Sequence, residues 1–223
     1  MSQITLNKVQ LIIGGARSGK SSLAEQYAKS LNLPVTYIAT AQAFDAEMQQ
    51  RISQHQADRP EHWQLLESPL FLAKAIESAI AKANLAEGQG ICILVDCLTL
   101  WLSNSLCHQG VETTSVVDNN LNLCNLDYWQ QEKQQLLKVL ENIQQVASSP
   151  HDITQHGSIN IILVSNEVGH GIVPLGELSR HFVDQAGWLH QAIAKIADNV
   201  EFVMAGLPLT LKSSENTNAK VQS

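Results

Sequence analysis

The sequence has few basic residues and no long apolar run. Lysine and arginine number 14 against 21 acidic residues, which gives a net charge of −7. An acidic chain without a Lys/Arg cluster is a poor electrostatic partner for a nucleic-acid backbone, so we expect no nucleic-acid ligand. The longest apolar stretches, around residues 91–95 and 159–164, are far shorter than the roughly 20 residues of a membrane helix. We therefore expect no membrane span.

Cysteine is also scarce, and the N-terminus lacks a secretion signal. The four cysteines form no Cys-x-x-Cys pair, and Cys92 and Cys97 lie in or beside a predicted buried strand, where free thiols behave as small apolar groups. The first residues lack the charged start, long apolar core and small-residue cleavage site of a signal peptide. These features favour a reduced, cytoplasmic protein.

Short β-branched segments alternate along the chain with longer segments of helical periodicity. Strands are predicted at 9–13, 35–39, 91–95, 159–164 and 200–205, and helices at 21–31, 46–56, 70–83, 128–146 and 177–198, the last interrupted at Gly187. Nearly continuous apolar strands between helices are typical of a mostly parallel sheet with helices on both faces. We therefore predict a three-layer α/β fold that forms one domain over residues 1–211, with a polar, disordered tail over 212–223.

A glycine-rich segment joins the first predicted strand to the first predicted helix. Residues 14–21 read GGARSGKS and match G-x-x-x-x-G-K-[ST] at every fixed position. Glycine permits positive φ, so backbone N–H groups can converge on an anion, and the helix N-terminus adds partial positive charge. In such a loop Lys20 would reach the outer phosphates and the Ser21 hydroxyl would bind Mg²⁺. The motif predicts a nucleotide-binding P-loop NTPase fold of the RecA-like class, with phosphate contacts from Gly14, Gly15, Ala16, Arg17, Ser18, Gly19, Lys20 and Ser21.

Asp96 ends the predicted strand ICILVD. In phosphate-loop folds an acid at the end of a neighbouring strand holds Mg²⁺, often through water. An aspartate here could instead cap the following helix, and the two roles are compatible. We predict Asp96 as the second metal contact.

His55 lies between the second predicted strand and Trp63. With a helix starting near residue 45, Glu47, Arg51 and His55 recur every four residues on one face. A lone helical histidine is more often a surface or packing residue. His55 and His62 flank a proline with no third ligand nearby, so this segment does not indicate a metal site.

Four blocks of sequence together resemble a known enzyme family. They are GGARSGKS at 14–21, YIATAQ at 37–42, the pattern DxEMxxRIxxHxxxRPxHW at 45–63 and NEVGHGIVP at 166–174. In this order they resemble the bifunctional adenosylcobinamide kinase/adenosylcobinamide-phosphate guanylyltransferases of cobalamin biosynthesis. RHF at 180–182 with Asp184 also matches, whereas GWLH at 187–190 replaces the usual G-R-V-N.

The resemblance implies two reactions on one scaffold. ATP or GTP, with Mg²⁺, would phosphorylate the aminopropanol hydroxyl of adenosylcobinamide. A histidine would then attack the α-phosphate of GTP, and the guanylylated enzyme would pass GMP to adenosylcobinamide phosphate. The resemblance also implies a homotrimer.

The same resemblance assigns residue roles. The nucleophile is His55, with His62 as the alternative, and Gln54 stands where some relatives carry a second histidine. A neutral imidazole, abundant near neutral pH, is the form that can attack phosphorus. The further nucleotide contacts are Ala39, Thr40, Ala41, Gln56, Ala57, Asp58, Arg59 and Glu67.

Glu67, two arginines and one loop have a physical rationale or an alternative. Glu67 could accept hydrogen bonds from guanine N1 and N2, or could be a solvated acid at a strand end. Arg17 and Arg59 could neutralise phosphate charge. The loop at 166–174 follows a strand end, where open α/β sheets place ligands, and either borders the corrinoid or nucleotide or forms a tight structural turn.

Two other functions fit parts of the pattern. One is a plain phosphate-loop kinase of a small molecule, without the guanylyl step. The other is a nucleotide-driven binding or motor protein of RecA type, whose hydrolysis a polymer would stimulate. The acidic charge counts against the second.

Overall fold

The computed structural model describes residues 8–43, 46–47, 49–50, 59–83, 85, 89–108, 125–147 and 157–214. The predicted nucleophile His55 and the neighbouring contacts Gln56, Ala57 and Asp58 lie outside the described residues.

One seven-stranded sheet organises the described part of the chain. Its strands are β1 (Lys8–Gly14), β2 (Val35–Ala39), β3 (Gln64–Glu67), β4 (Gly90–Asp96), β5 (Ser158–Asn166), β6 (Asn199–Met204) and β7 (Leu207–Lys212). The helices are α1 (Lys20–Ser30), α2 (Leu72–Ala83), α3 (Leu98–Leu106), α4 (Leu126–Ala147) and α5 (Glu177–Ile196). The spatial order is β3-β2-β4-β5-β1-β6-β7. Strands β1 to β6 are parallel and β7 pairs antiparallel with β6.

Both faces of the sheet are covered, which confirms the predicted three-layer α/β fold. Neighbouring strand residues point to opposite faces. Leu11 and Ile93 therefore join the core beneath α2, α4 and α5, while Ile12 and Leu94 pack with residues of α1 on the other face. None of the described helices is long and apolar enough to cross a membrane.

The predicted interruption at Gly187 is wrong, because α5 runs unbroken through that position. Glycine weakens a helix interior by about 1 kcal/mol relative to alanine. The flanking Ala186, Leu189 and His190 are buried against the core. The free energy gained by packing these three side chains outweighs the cost of glycine in the helix.

Strand β7 was not predicted. Ala205 and Gly206, with φ of 53° and 80°, form the turn that folds β7 back on β6. Positive φ at both central residues is typical of a tight hairpin. Pro208 is compatible with β7 because β7 is an edge strand.

Candidate active site

The register of the sheet brings several predicted site residues to its carboxyl edge. Ala39 at the end of β2 is in register with Glu67 of β3 on one side and Asp96 of β4 on the other. Gly14 at the end of β1 is in register with Asn166 of β5. With strands about 4.8 Å apart, the Glu67 and Asp96 backbones lie about 10 Å from each other. This is the edge at which open α/β sheets bind ligands.

The phosphate loop has the backbone that an anion site requires. Arg17 and Gly19 have positive φ, 57° and 95°, and the Ser18 amide donates to the Gly15 carbonyl at 3.3 Å. Gly19 stands at the N-cap of α1 and supplies no side-chain hydrogen bond to the first turn. The N–H groups of that turn can therefore serve a bound phosphate, as the motif predicts.

Lys20 is buried inside this loop and next to an acid. Its side chain is 7% exposed, and Nζ donates to the Gly15 carbonyl at 3.0 Å. Burial lowers the pKa of Lys20, and the negative charge of Asp96 raises it in part. The amine is thus held near Asp96 and within the loop, and its contact with the outer phosphates remains a prediction.

Asp96 accepts a hydrogen bond that sequence reasoning missed. The Tyr37 hydroxyl donates to Asp96 Oδ2 at 3.1 Å, and burial, with the charge of Asp96, raises the pKa of Tyr37. Tyr37 therefore remains a donor. The N-cap of α3 is Cys97, without a side-chain cap, so the alternative capping role of Asp96 is not found. The only signal for Tyr37 in the sequence was a hydroxyl within an apolar strand.

Arg59 packs against the ring of Tyr37, the residue that bonds to Asp96. Its Cζ lies 3.7 Å from the centroid of the Tyr37 ring, and its buried Nε has no hydrogen-bond partner. Glu67 is exposed at the same edge, at the end of β3. Both side chains occupy positions from which they could contact a nucleotide.

Thr40 has a structural role that occupies its hydroxyl. The side chain is fully buried; Oγ1 donates to the Cys97 carbonyl at 2.7 Å and accepts from the Cys97 amide at 2.9 Å. Asn104 Nδ2 donates to the Thr40 carbonyl at 2.9 Å. The Thr40 side chain thus links the residue after β2 to the residue after β4 by two hydrogen bonds. The nucleotide contacts of Ala39, Thr40 and Ala41 remain predictions.

The residues present fit a magnesium ion held mainly by its nucleotide. Ser21 lies in the first turn of α1 and Asp96 at the end of β4, both partly exposed. Hydroxyl and carboxylate oxygens suit Mg²⁺, which usually binds one or two protein groups together with phosphates. No group of three or more His, Cys, Asp or Glu side chains that could hold a metal ion occurs in the described ranges.

A second polar cluster, which sequence reasoning did not predict, lies next to Gly14 of the phosphate loop. His190 Nε2 lies 2.7 Å from Ser165 Oγ, and Nδ1 lies 3.8 Å from Glu167 Oε2. The Glu167 amide donates to the Gly14 carbonyl at 2.9 Å. Burial lowers the pKa of His190, although Glu167 raises it in part. The histidine that replaces the usual asparagine in GWLH thus connects α5 to the end of β5.

Sequence comparisons with known proteins give one consistent family. A sequence model of the family described as cobinamide kinase / cobinamide phosphate guanyltransferase matches residues 10–211. The bifunctional adenosylcobalamin biosynthesis protein CobP of Pseudomonas aeruginosa is 48% identical over 202 residues, which cover 91% of this chain and 96% of that protein. Its counterpart CobU of Escherichia coli is 34% identical over 203 residues, 91% of this chain and 98% of that one.

The fold is also similar to that of a solved structure, a prototypical ATPase from the type III secretion system of pathogenic bacteria. The TM-score is 0.51 at 13% identity, and the match covers 97% of this chain and 63% of the ATPase. That likeness concerns the fold alone. The extent of the family match and the identity to the curated relatives show that this chain belongs to the cobinamide kinase / cobinamide phosphate guanyltransferase family.

Proposed function

We propose that the protein phosphorylates adenosylcobinamide with ATP or GTP and then transfers GMP from GTP to the product through a guanylyl-histidine. The observation that carries the proposal is the position of Glu67, Asp96 and the phosphate loop at one sheet edge, with Lys20 buried in the loop near Asp96. This arrangement offers a phosphate site and an acid suited to a guanine base at the same edge. Glu67 lies about 10 Å from Asp96 and, four strands away, about 19 Å from the end of β1.

The kinase step uses the phosphate loop. The aminopropanol oxygen attacks the γ-phosphorus, the bond from that phosphorus to the β-phosphate oxygen breaks, and the hydroxyl proton is released. Lys20 and the first-turn amides of α1 stabilise the charge that develops on the phosphate oxygens. Ser21 and Asp96 would hold Mg²⁺, which supplies further charge neutralisation when bound.

The guanylyl step needs a nucleophile outside the phosphate loop. A neutral nitrogen of His55 attacks the α-phosphorus of GTP, and pyrophosphate leaves. A phosphate oxygen of adenosylcobinamide phosphate then attacks the same phosphorus, the P–N bond breaks and the histidine is restored. Arg59 would neutralise phosphate charge, and Glu67 would accept hydrogen bonds from guanine N1 and N2.

The test is to trap the covalent intermediate. Wild type, His55→Ala and the control His62→Ala are incubated with α-labelled GTP and Mg²⁺ but no corrinoid, and then denatured. We expect protein-bound label that is stable in alkali and lost in acid, present in wild type and His62→Ala but absent from His55→Ala. His55→Ala should still transfer the γ-phosphate of ATP to adenosylcobinamide, whereas Lys20→Met should not.

Other results would change the assigned nucleophile or the proposed function. Label lost only in His62→Ala would make His62 the nucleophile. A wild type that phosphorylates corrinoid but never acquires label would be a plain kinase. The homotrimer is tested separately by light scattering, which should give 3 × 24.4, or about 73 kDa.

A further inference from the structure

An apolar crevice of about 400 Å³ opens between α3 and the segment that follows β5. Leu106 and Cys107, at the end of α3, line one wall. Val168, Pro174 and Phe182 line the other. None of the nucleotide-site residues that the structure describes lines this crevice.

One wall of the crevice begins close to the phosphate loop. The two walls are formed by the segments that leave the neighbouring strands β4 and β5, so one wall follows Asp96 and the other follows Asn166. Glu167, which precedes Val168, donates its amide to the Gly14 carbonyl at 2.9 Å. The Val168 side of the crevice therefore lies two residues beyond the end of β5, at the sheet edge that carries the phosphate loop.

The loop that borders the crevice is unusually apolar for an exposed segment. Ile172, Val173 and Leu175 are 98%, 72% and 97% exposed. Arg180 Nη1 donates to the carbonyls of Pro174 and Leu175, so helix α5 fastens the loop that presents these side chains. Contiguous apolar side chains on a surface mark a binding region.

We propose that this crevice and its apolar loop bind the corrin ring of the kinase substrate, an inference that rests on the proposed function. The ring has apolar faces and edges carrying methyl groups and amides. Leu106, Val168 and Phe182 suit the apolar parts. Ser103 and Ser179 also line the crevice, and serine hydroxyls can bond to amides.

The location explains how a large acceptor reaches a small phosphate site. The macrocycle is too large to be enclosed by 400 Å³ and would lie across the mouth, against Ile172 and Leu175. Its flexible aminopropanol arm would then extend along the carboxyl edge toward Lys20. Anchoring the ring makes the attack on phosphorus effectively intramolecular.

The first test compares matched apolar residues. Leu175→Ser and Ile172→Ser remove exposed apolar groups from the loop, and Leu209→Ser makes the same change on the edge strand β7, at 61% exposure. We expect the KM for adenosylcobinamide to rise about tenfold or more in the loop variants, as loss of one apolar contact predicts. The KM for ATP and the molar mass should be unchanged, and Leu209→Ser should behave as wild type.

A second measurement detects the ligand directly. Cys107 is exposed and lines the crevice, so adenosylcobinamide at ten times its dissociation constant should slow alkylation of Cys107 by N-ethylmaleimide about tenfold, whereas ATP should not. Mass spectrometry of the peptide that contains Cys107 gives the rate. Leu175→Ser should weaken this protection at the same corrinoid concentration.

Four results would overturn the inference. In an active kinase, an unchanged corrinoid KM in the loop variants or no protection of Cys107 would place the ring elsewhere. A fall in molar mass of the loop variants would show that the loop contacts a second copy of the chain. A wild type that transfers no phosphate to corrinoid would instead refute the proposed function, and the inference with it.

Discussion

The two adjacent glycines that open the phosphate loop should respond in opposite ways to the same substitution. A Cβ added at Gly14 would lie 2.5 Å from the Val203 carbonyl oxygen and 2.5 Å from Ser18 Oγ. Ordinary contact begins at 3.4 Å, so each atom must move by 3.4 − 2.5 = 0.9 Å. Ser18 can rotate, but the Val203 carbonyl belongs to β6, which is paired with both β1 and β7.

The expected penalty for Gly14→Ala is therefore that of overpacking, about 1–3 kcal/mol in the free energy of unfolding. Gly15 is the matched control, because a Cβ added there would have no neighbour within 4 Å and its φ is not positive. Alanine at Gly15 reduces the entropy of the unfolded chain without a clash. Gly15→Ala should be as stable as wild type or more stable by up to about 1 kcal/mol.

Urea unfolding of the nucleotide-free proteins measures both effects, since bound nucleotide would add its own stabilisation. Thermal unfolding should agree, with the Tm of Gly14→Ala lowered by about 2–12 °C at 2–4 °C per kcal/mol for a chain of this length. Equal stability of the two variants, or a less stable Gly15→Ala, would refute the steric reasoning.

Three further predictions concern buried polar groups, all measured by urea unfolding. Because burial lowers the pKa of His190, the unfolded chain binds a proton below about pH 6.5 that the folded chain does not. The free energy of unfolding of the wild type should fall as pH falls from 7 to 5, and His190 should account for up to about 1.4 kcal/mol per pH unit of that fall. In His190→Asn this part of the pH dependence should be absent. Burial raises the pKa of Glu132, so the ionised carboxylate destabilises the folded state increasingly as pH rises above about 4.3. Glu132→Gln should therefore be more stable than wild type at pH 8, and the difference should shrink toward pH 4. Thr40→Val leaves the Cys97 amide without its partner and removes one of two donors to the Cys97 carbonyl, which keeps the Trp101 amide. It should cost about 1–3 kcal/mol, whereas Thr40→Ser should retain most of the stability.

The elements that local patterns specify were predicted well. Strands β1, β2, β4 and β5 are each a largely apolar segment, and burial on both faces of a parallel sheet requires that composition. The phosphate loop was predictable for a related reason, because its glycines, Lys20 and Ser21 are contiguous in sequence. Glu67 was assigned from resemblance alone, and the register with Ala39 places it at the predicted edge.

Prediction was weakest where distant packing decides the outcome. Gly187 was expected to interrupt a helix because local propensity disfavours glycine, yet the burial of its neighbours keeps α5 continuous. Strand β7 depends on a turn at Ala205 and Gly206 and on an edge position that accepts Pro208. Neither condition is visible in the periodicity of residues 207–212.

By itself the sequence determined the α/β class, the phosphate-binding segment and the family, because each depends on residues adjacent in the chain or on motifs in order. Only the tertiary structure decided which side chains meet. Tyr37 bonds to Asp96 across neighbouring strands, His190 contacts Ser165 from another element, and the crevice is formed by segments that leave two different strands. Such contacts depend on strand order and helix packing, which bring together residues that sequence spacing leaves unrelated.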